Sequence, residues 1–278
     1  MAPPFPAGRA AMRSHVRRGA CLLAAVLLAA PHAAAAPEGE GVLASACPGP
    51  GAMDLLLMPE EAEALDAEAA ALTVTGAYTA TDKRDAGKPK PVGLFLHRGQ
   101  AISLEYGRMD GLLVIEADGA ARILSAPSAQ VAGASFDLTD LEGRRAFVAA
   151  AKTAGASALQ SHLLIRDGEL DLRPVESAPA AIRRILFQDS DGALAIWQSG
   201  ARALTLHEAA EELARLHAPA MAMNLDMGSY DFCERTGAQS AAAGDGVRGA
   251  SYSCGFLDRQ GLERLSNLIR LHPDANCG

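Results

Sequence analysis

Between residues 91 and 199 the apolar positions come in short runs, and four of these runs are interrupted by a tight polar break. "PVGLFLHRGQAISLEY" breaks at His97-Arg98-Gly99, "GLLVIEADGAARILS" at Asp118-Gly119, "HLLIRDGELDLR" at Asp167-Gly168 and "IRRILFQDSDGALAIWQS" at Asp191-Gly192. Two apolar runs around Asp-Gly predict a β-hairpin, because the turn between them needs positive φ and Gly supplies it. "ALTVTGAY" predicts a further strand just before the first unit.

Other segments carry helical spacing. "TDLEGRRAFVAAAKTA" opens with Thr139 and places Glu142 three residues on, a capping-box pattern. "TLHEAAEELARLHAP" repeats that pattern at Thr205 and Glu208, with Leu206, Ala209, Ala210, Leu213 and Leu216 on one stripe and Pro219 as a stop. "DRQGLERLSNLIRLHP" predicts a third helix, with Leu262, Leu265, Leu268 and Ile269 on one face. Residues 37–72 form an N-terminal segment or linker: "PEGEGVLASACPGPGAM" reads as irregular, and "PEEAEALDAEAAAL" as either a helix begun by Pro59 or an acidic linker. The class expected is α+β, a mixed and largely antiparallel sheet with several packed helices. Parallel neighbours are expected where helix 205–217 leads into strand 220–226.

That last strand, "AMAMNLD", places Asn224 and Asp226 two apart and so on one face, with Leu225 directed into the core. Gly228 then permits a sharp turn. Local sequence leaves two readings of Asp226 open. It presents a carboxylate in a cleft, or it caps a turn by bonding backbone at Gly228 or Ser229.

The chain begins differently. Arg9, Arg13, Arg17 and Arg18 precede "ACLLAAVLLAAPHAAAA", which reads as a secretory signal ending near Ala36. The apolar run is short and Ala-rich for a membrane span, and neither Cys21 nor Cys47 is placed as a lipid-anchored cysteine. Loss of residues 1–36 leaves 21 basic against 33 acidic side chains, a net charge of −12. An acidic chain without a basic tract argues against nucleic-acid binding and against electrostatic attachment to anionic lipid. A periplasmic or secreted protein with no membrane span after cleavage is expected; its oligomeric state is left open. The remaining Cys47, Cys233, Cys254 and Cys277 suit two disulfides in an oxidising compartment. Of the three pairings, Cys233–Cys254 and Cys47–Cys277 are the expected ones.

The order of the pieces carries a resemblance. "KPVGLFLHRGQ", "ALQSHLLIRDGEL", an Arg before a strand–Asp-Gly–strand unit, and "TLHEAAEELARLHAPAMAMNLDMGS" follow one another as in the phosphodiester glycosidase domain family. The chain resembles that family from about residue 73 to 237, within a domain expected over residues 73–278. The resemblance matches Gln160 and Ser161 to the family's Gln-Ser, Arg183 (or Arg184, one residue on) to its Arg, and Asn224, Leu225, Asp226, Gly228 and Ser229 to its Asn-Leu-Asp-Gly-Gly with a following Ser. Thr75, Gly76, Ala77 and Tyr78 stand where the family has Asn-Gly-Gly-aromatic, His162-Leu163 where it has Gly-Pro, and Met227 where it has its first Gly.

The resemblance implies an exported hydrolase that cleaves a sugar–phosphate bond in an envelope or extracellular glycan. Asp226, Asn224 and Arg183 are then the catalytic set, and Gln160, Ser161, Gly228, Ser229, Thr75 and His162 the substrate-binding one. Breaking this bond develops positive charge on the sugar while phosphate leaves. A carboxylate suits the first, and an Arg fork the second. The alternative is a diverged envelope protein that binds a glycan or phosphodiester without turnover; a third is a disulfide-stapled protein with no ligand. No cofactor is expected. Asp226, Asp231 and Glu234 are the one acidic group to weigh for calcium, and their spacing does not match an EF-hand loop. There is no nucleotide-type phosphate loop and no nucleophile elbow.

Overall fold

The structure, a computed structural model, describes residues 40–66, 70–83, 85, 87–237 and 252–273. The predicted signal segment 1–36 and Cys277 lie outside the described residues.

Three antiparallel sheets enclose a shared core. The six-stranded sheet runs, in spatial order, Glu40–Ala46, Leu194–Ser199, Arg184–Gln188, Met221–Asn224, Leu163–Arg166 and Glu169–Leu170. A five-stranded sheet runs Gln100–Leu104, Leu94–His97, Ser157–Ser161, Gly111–Ile115 and Ala121–Ser125. The second five-stranded sheet runs Tyr252–Ser253, Cys233–Thr236, Ala71–Thr75, Asn267–Leu271 and Met53–Leu57. Two ribbons, Thr79–Thr81 with Pro89–Pro91 and Ala129–Val131 with Ala134–Phe136, complete the strands of the described residues.

All four predicted hairpins form. At the third, Asp167 and Gly168 take φ of 52° and 82°, the doubly left-handed turn whose twist matches that of the strands it joins. Strand alternation divides the core. Leu186 and Met223 face the inter-sheet cluster with Leu113, Leu159, Val74 and Ile269, whereas Ile185, Phe187 and Ala222 face outward. Helix α2, Leu206–His217, covers that outward face with Ala209, Ala210 and Leu213. Truncating a fully buried leucine such as Leu213 to Ala costs about 2–5 kcal/mol. Helix α1, Leu141–Ala154, covers the outer face of the first five-stranded sheet through Phe147 and Ala151.

Several expectations need correction. The fold is more β than "several packed helices": the described residues hold two α-helices, and the predicted third helix is a 3-10 turn, Arg259–Arg264, followed by strand Asn267–Leu271. There the run of apolar residues is buried on both faces of a sheet, and a continuous run satisfies strand and helix patterns alike. The N-terminal segment or linker expected over residues 37–72 includes two strands, Glu40–Ala46 and Met53–Leu57, that belong to two of the main sheets. The capping box at Thr205 and Glu208 forms as expected, but α1 is capped by Asp140, which accepts from Gly143 N, and not by Thr139. Strand Met221–Asn224 has no parallel neighbour. Strand Arg184–Gln188 lies between it and Leu194–Ser199, antiparallel to both, so the two strands joined through α2 run parallel but are not adjacent.

Cys233 and Cys254 are joined in a disulfide, as expected. Cys47 is also disulfide-bonded; its predicted partner lies outside the described residues. No helix among the described residues is long and apolar enough to cross a membrane.

Candidate active site

Three consecutive backbone N–H groups at the end of strand Met221–Asn224 bond to three different parts of the chain. Asn224 N donates to His162 O, Leu225 N to Arg184 O and Asp226 N to Gly76 O, each at 3.0 Å. This brings the turn after Ala71–Thr75, the start of Arg184–Gln188 and the residue between two sheets to one place. His162 is that residue: Ser161 ends a strand of one sheet and Leu163 begins a strand of the next. Leu225 points into the core, as its position predicts.

Asp226 is 7% exposed. Its Oδ2 accepts from Thr79 N and its Oδ1 from Met227 N, both at 2.9 Å. Burial pushes its carboxyl up to about 6, against the pull of those two N–H groups, because a desolvated carboxylate is costly. The bonds do not run to Gly228 or Ser229, so the turn-capping geometry considered from sequence is not the one present. Gly228, at φ 81°, and Ser229 are exposed at the rim.

Asn224 lies beside the carboxylate. Its Nδ2 donates to the Tyr78 hydroxyl at 2.6 Å and to Leu225 O at 2.8 Å. Its Oδ1 is buried with no protein partner. The Tyr78 hydroxyl is pushed up by burial first, and also by the Asp226 charge; Asn224, Ser161 and Arg183 act in the opposite sense. The Tyr78 ring meets the His162 ring edge-on, with centroids 5.9 Å apart. Burial holds His162 below the usual imidazole range.

Of the two candidate arginines, Arg183 is the one whose charge acts on the Tyr78 hydroxyl. Its Nε donates to Leu204 O at 2.7 Å and its Nη2 to Pro179 O at 2.6 Å, and among the described residues it pairs with no carboxylate. Arg184 is fully buried, with Nη1 2.5 Å from Asp231 Oδ1 and Nη2 2.5 Å from Gln198 Oε1. Asp231 is therefore committed to Arg184, as Glu234 is to Arg259 at 2.6 Å.

Three other predicted contacts have their polar atoms directed at the protein itself. Gln160 donates to Met109 O at 2.5 Å and accepts from Leu94 N and Gly107 N. Thr75 Oγ1 donates to Tyr230 O and accepts from Phe232 N. Ser161 Oγ donates to Asn224 O at 2.5 Å. These three hold the site's backbone in place.

Sequence reasoning missed Asn267. Its Oδ1 accepts from Ala77 N at 2.8 Å and its Nδ2 donates to Ala77 O at 3.1 Å, which fixes the turn that carries Tyr78 and Thr79. A Cβ on Gly76 would come within 2.4 Å of that Oδ1, so the close approach requires Gly. Tyr78 was legible only as the aromatic of a partly matched motif. The seam around Asn224 and Asp226 lines none of three cavities, of about 500, 200 and 260 Å³, that open elsewhere on the molecule.

No protein-family model matches the sequence, and no curated protein matches it. Among solved structures, the chain is similar to the catalytic domain of zebrafish N-acetylglucosamine-1-phosphodiester α-N-acetylglucosaminidase auto-inhibited by its pro-peptide. That likeness has 16% identity, covers 80% of this chain and 73% of that one, and has a TM-score of 0.44. A Burkholderia pseudomallei protein is similar at 14% identity, over 84% of this chain and 71% of that one, with a TM-score of 0.45. A hypothetical protein from Synechocystis is similar at 14% identity over 79% of this chain, with a TM-score of 0.42, and the chain spans only 56% of that protein's length. These likenesses are distant, and the reading of function rests instead on the geometry around Asn224 and Asp226.

Proposed function

We propose that this protein is an exported hydrolase of sugar phosphodiesters. One observation carries the reading: a carboxamide with an unpartnered oxygen bonds the Tyr78 hydroxyl, on which a buried carboxylate and an arginine without a carboxylate partner among the described residues also act. Such an arrangement suits a ligand that brings a hydroxyl donor, developing positive charge and an anion together. Asn224 Oδ1 accepts from a sugar hydroxyl, which relieves the cost of its buried, unbonded state. Asp226, ionised, stabilises positive charge at the anomeric carbon. Arg183 holds the departing phosphate. Gln160, Ser161 and Thr75 keep the backbone in register, and Gly228 and Ser229 form the rim over which substrate enters. The disulfides suit an oxidising, periplasmic or extracellular setting.

The test is to incubate the purified protein with a panel of sugar-1-phosphodiesters and to measure reducing sugar and phosphate monoester together. Equimolar release that is lost in Asp226→Asn is the expected result. If no member of the panel is turned over, the hydrolase reading fails. A second reading, binding without turnover, is favoured by half-buried Met227 at the rim of the seam. It expects a ligand-dependent rise in melting temperature with no product.

A further inference from the structure

The ribbon anchored at Asp226 runs on from the site. Thr79 donates its N–H to Asp226 Oδ2 at 2.9 Å and begins strand Thr79–Thr81, which pairs antiparallel with Pro89–Pro91. Val92 N donates to Tyr78 O at 2.8 Å, so the second strand returns to the turn that carries Tyr78. Two residues along the first strand, about 7 Å at the rise of an extended chain, Thr81 lines a cavity of about 500 Å³. Lys83 and Lys90 line it from the ribbon side. Ser103, Leu104 and Glu105 line it from the end of strand Gln100–Leu104, at the edge of its sheet. The two walls are tied by Lys90 Nζ and Glu105 Oε1 at 2.9 Å, and Ile102 seats the edge strand on the inter-sheet core. The volume falls within the range of about 300–1,000 Å³ usual for small-molecule sites.

The lining decides what could bind. Leu104 is 63% exposed, an apolar spot next to the hydroxyl-bearing Ser103. Glu105 is neutralised by Lys90, and Asp82, the other acid of the lining, is itself partnered. Lys83 is exposed and joins no ion pair among the described residues. Residues 81–91 carry four basic against two acidic side chains, within a chain of net charge −8. A cation without a partner, beside hydroxyls and a small apolar surface, suits an anion that also carries hydroxyls and C–H groups. We propose that this cavity is the subsite for the group on the far side of the phosphate, and that this group is an anionic polyol. The proposal rests on the hydrolase reading above and adds the class of the second alcohol. Lys83 meets the charge, Thr81 and Ser103 bond hydroxyls, and Leu104 packs against carbon. No bond is made or broken there; the contacts hold the diester while the sugar–phosphate bond breaks at Asp226.

The cavity is tested first without hydrolysis. Glycerol phosphate, glycerate and glycerol, which share one carbon skeleton, are titrated into protein with methyl-labelled Ile and Leu. The Ile102 and Leu104 signals are assigned by their loss in Ile102→Val and Leu104→Met. At least one anion should shift these signals with a Kd of about 1–10 mM, and glycerol should not. Lys83→Glu, at an exposed position where the fold should persist, should weaken that binding at least about 10-fold. The tighter of the two anions tells whether phosphate or carboxylate carries the charge. No shift with either anion, an equal shift with glycerol, or binding that survives Lys83→Glu overturns the proposal. The link to Asp226 is tested with a methyl diester of a sugar 1-phosphate and the corresponding diester whose second alcohol is the tighter-binding anion. The second should have kcat/KM about 10-fold higher, mainly through KM, and Lys83→Glu should remove that advantage while leaving the methyl diester unchanged. Equal kcat/KM for the two overturns the subsite and leaves the hydrolase reading standing. If neither diester is turned over while the anion still binds beside Leu104, the hydrolase reading fails and the anion site stands.

Discussion

The side-chain amide of Asn224 donates to the Tyr78 hydroxyl at 2.6 Å, joining the end of a strand in the six-stranded sheet to the turn that follows a strand of another. The same side chain leaves its Oδ1 buried and unbonded. Tyr78→Phe should cost about 1 kcal/mol in urea unfolding, the net worth of one such bond. Asn224→Ala should remove activity at least 100-fold while changing stability little, since it deletes an unsatisfied acceptor together with the donor. A large stability loss in Asn224→Ala with activity retained would make Asn224 a structural residue only.

Asp226 makes stability depend on pH in a direction opposite to that of a salt-bridged carboxylate. Burial raises its folded-state carboxyl to about 6, above the ordinary carboxylate value of 3.8, so between these limits the folded protein binds more protons than the unfolded one. Stability from this group is therefore full below about pH 4, falls as pH rises through 6, and is level above, by on the order of 2–3 kcal/mol. Activity needs the anion and should rise across the same interval. Asp226→Asn should flatten this part of the stability profile in denaturant titrations from pH 4 to 7.

The Arg184–Asp231 pair is buried at both ends, with side-chain exposures of 0% and 3%. Asp231→Ala should destabilise by about 3–5 kcal/mol, because it strands a fully buried guanidinium. Arg183→Gln should destabilise less, by about 1–3 kcal/mol for its lost bonds to Leu204 O and Pro179 O, and raise KM for a phosphodiester. If the two variants exchange behaviour, the assignment of Arg183 to the ligand is wrong.

Met227 has φ −145° and ψ −172°, extended backbone that any residue adopts, and it lies outside the hydrophobic clusters. The extended backbone therefore does not require glycine here. Met227→Gly should cost less than about 2 kcal/mol, below the range for a truncated core side chain. It should also increase turnover or ligand binding by opening the approach to Asp226. Thermal melting and product release, measured on the same preparation, check both halves.

The local pattern was sufficient for the four hairpins, for α2 with its capping box, and for a strand leading to Asn224, although it ends there and not at Asp226 as expected. In each, the determining contacts lie within a few residues: a positive-φ turn, a side chain bonding backbone three positions on, an apolar stripe. It misread residues 258–273, where a continuous apolar run had to await its neighbours to become a strand rather than a helix. Gln160 entered as a ligand contact through the family resemblance, and no local pattern reveals that its amide is engaged by Leu94, Gly107 and Met109. Asn267 gave no local sign of its role, since its partner Ala77 is 190 positions away. Arg183 and Arg184 show the division most clearly. Successive strand side chains point to opposite faces, so the sequence determined that one arginine would be separated from the other. Only tertiary packing, by placing Asp231 and Gln198 against Arg184, decided which is locked in a buried ion pair and which has no carboxylate partner among the described residues.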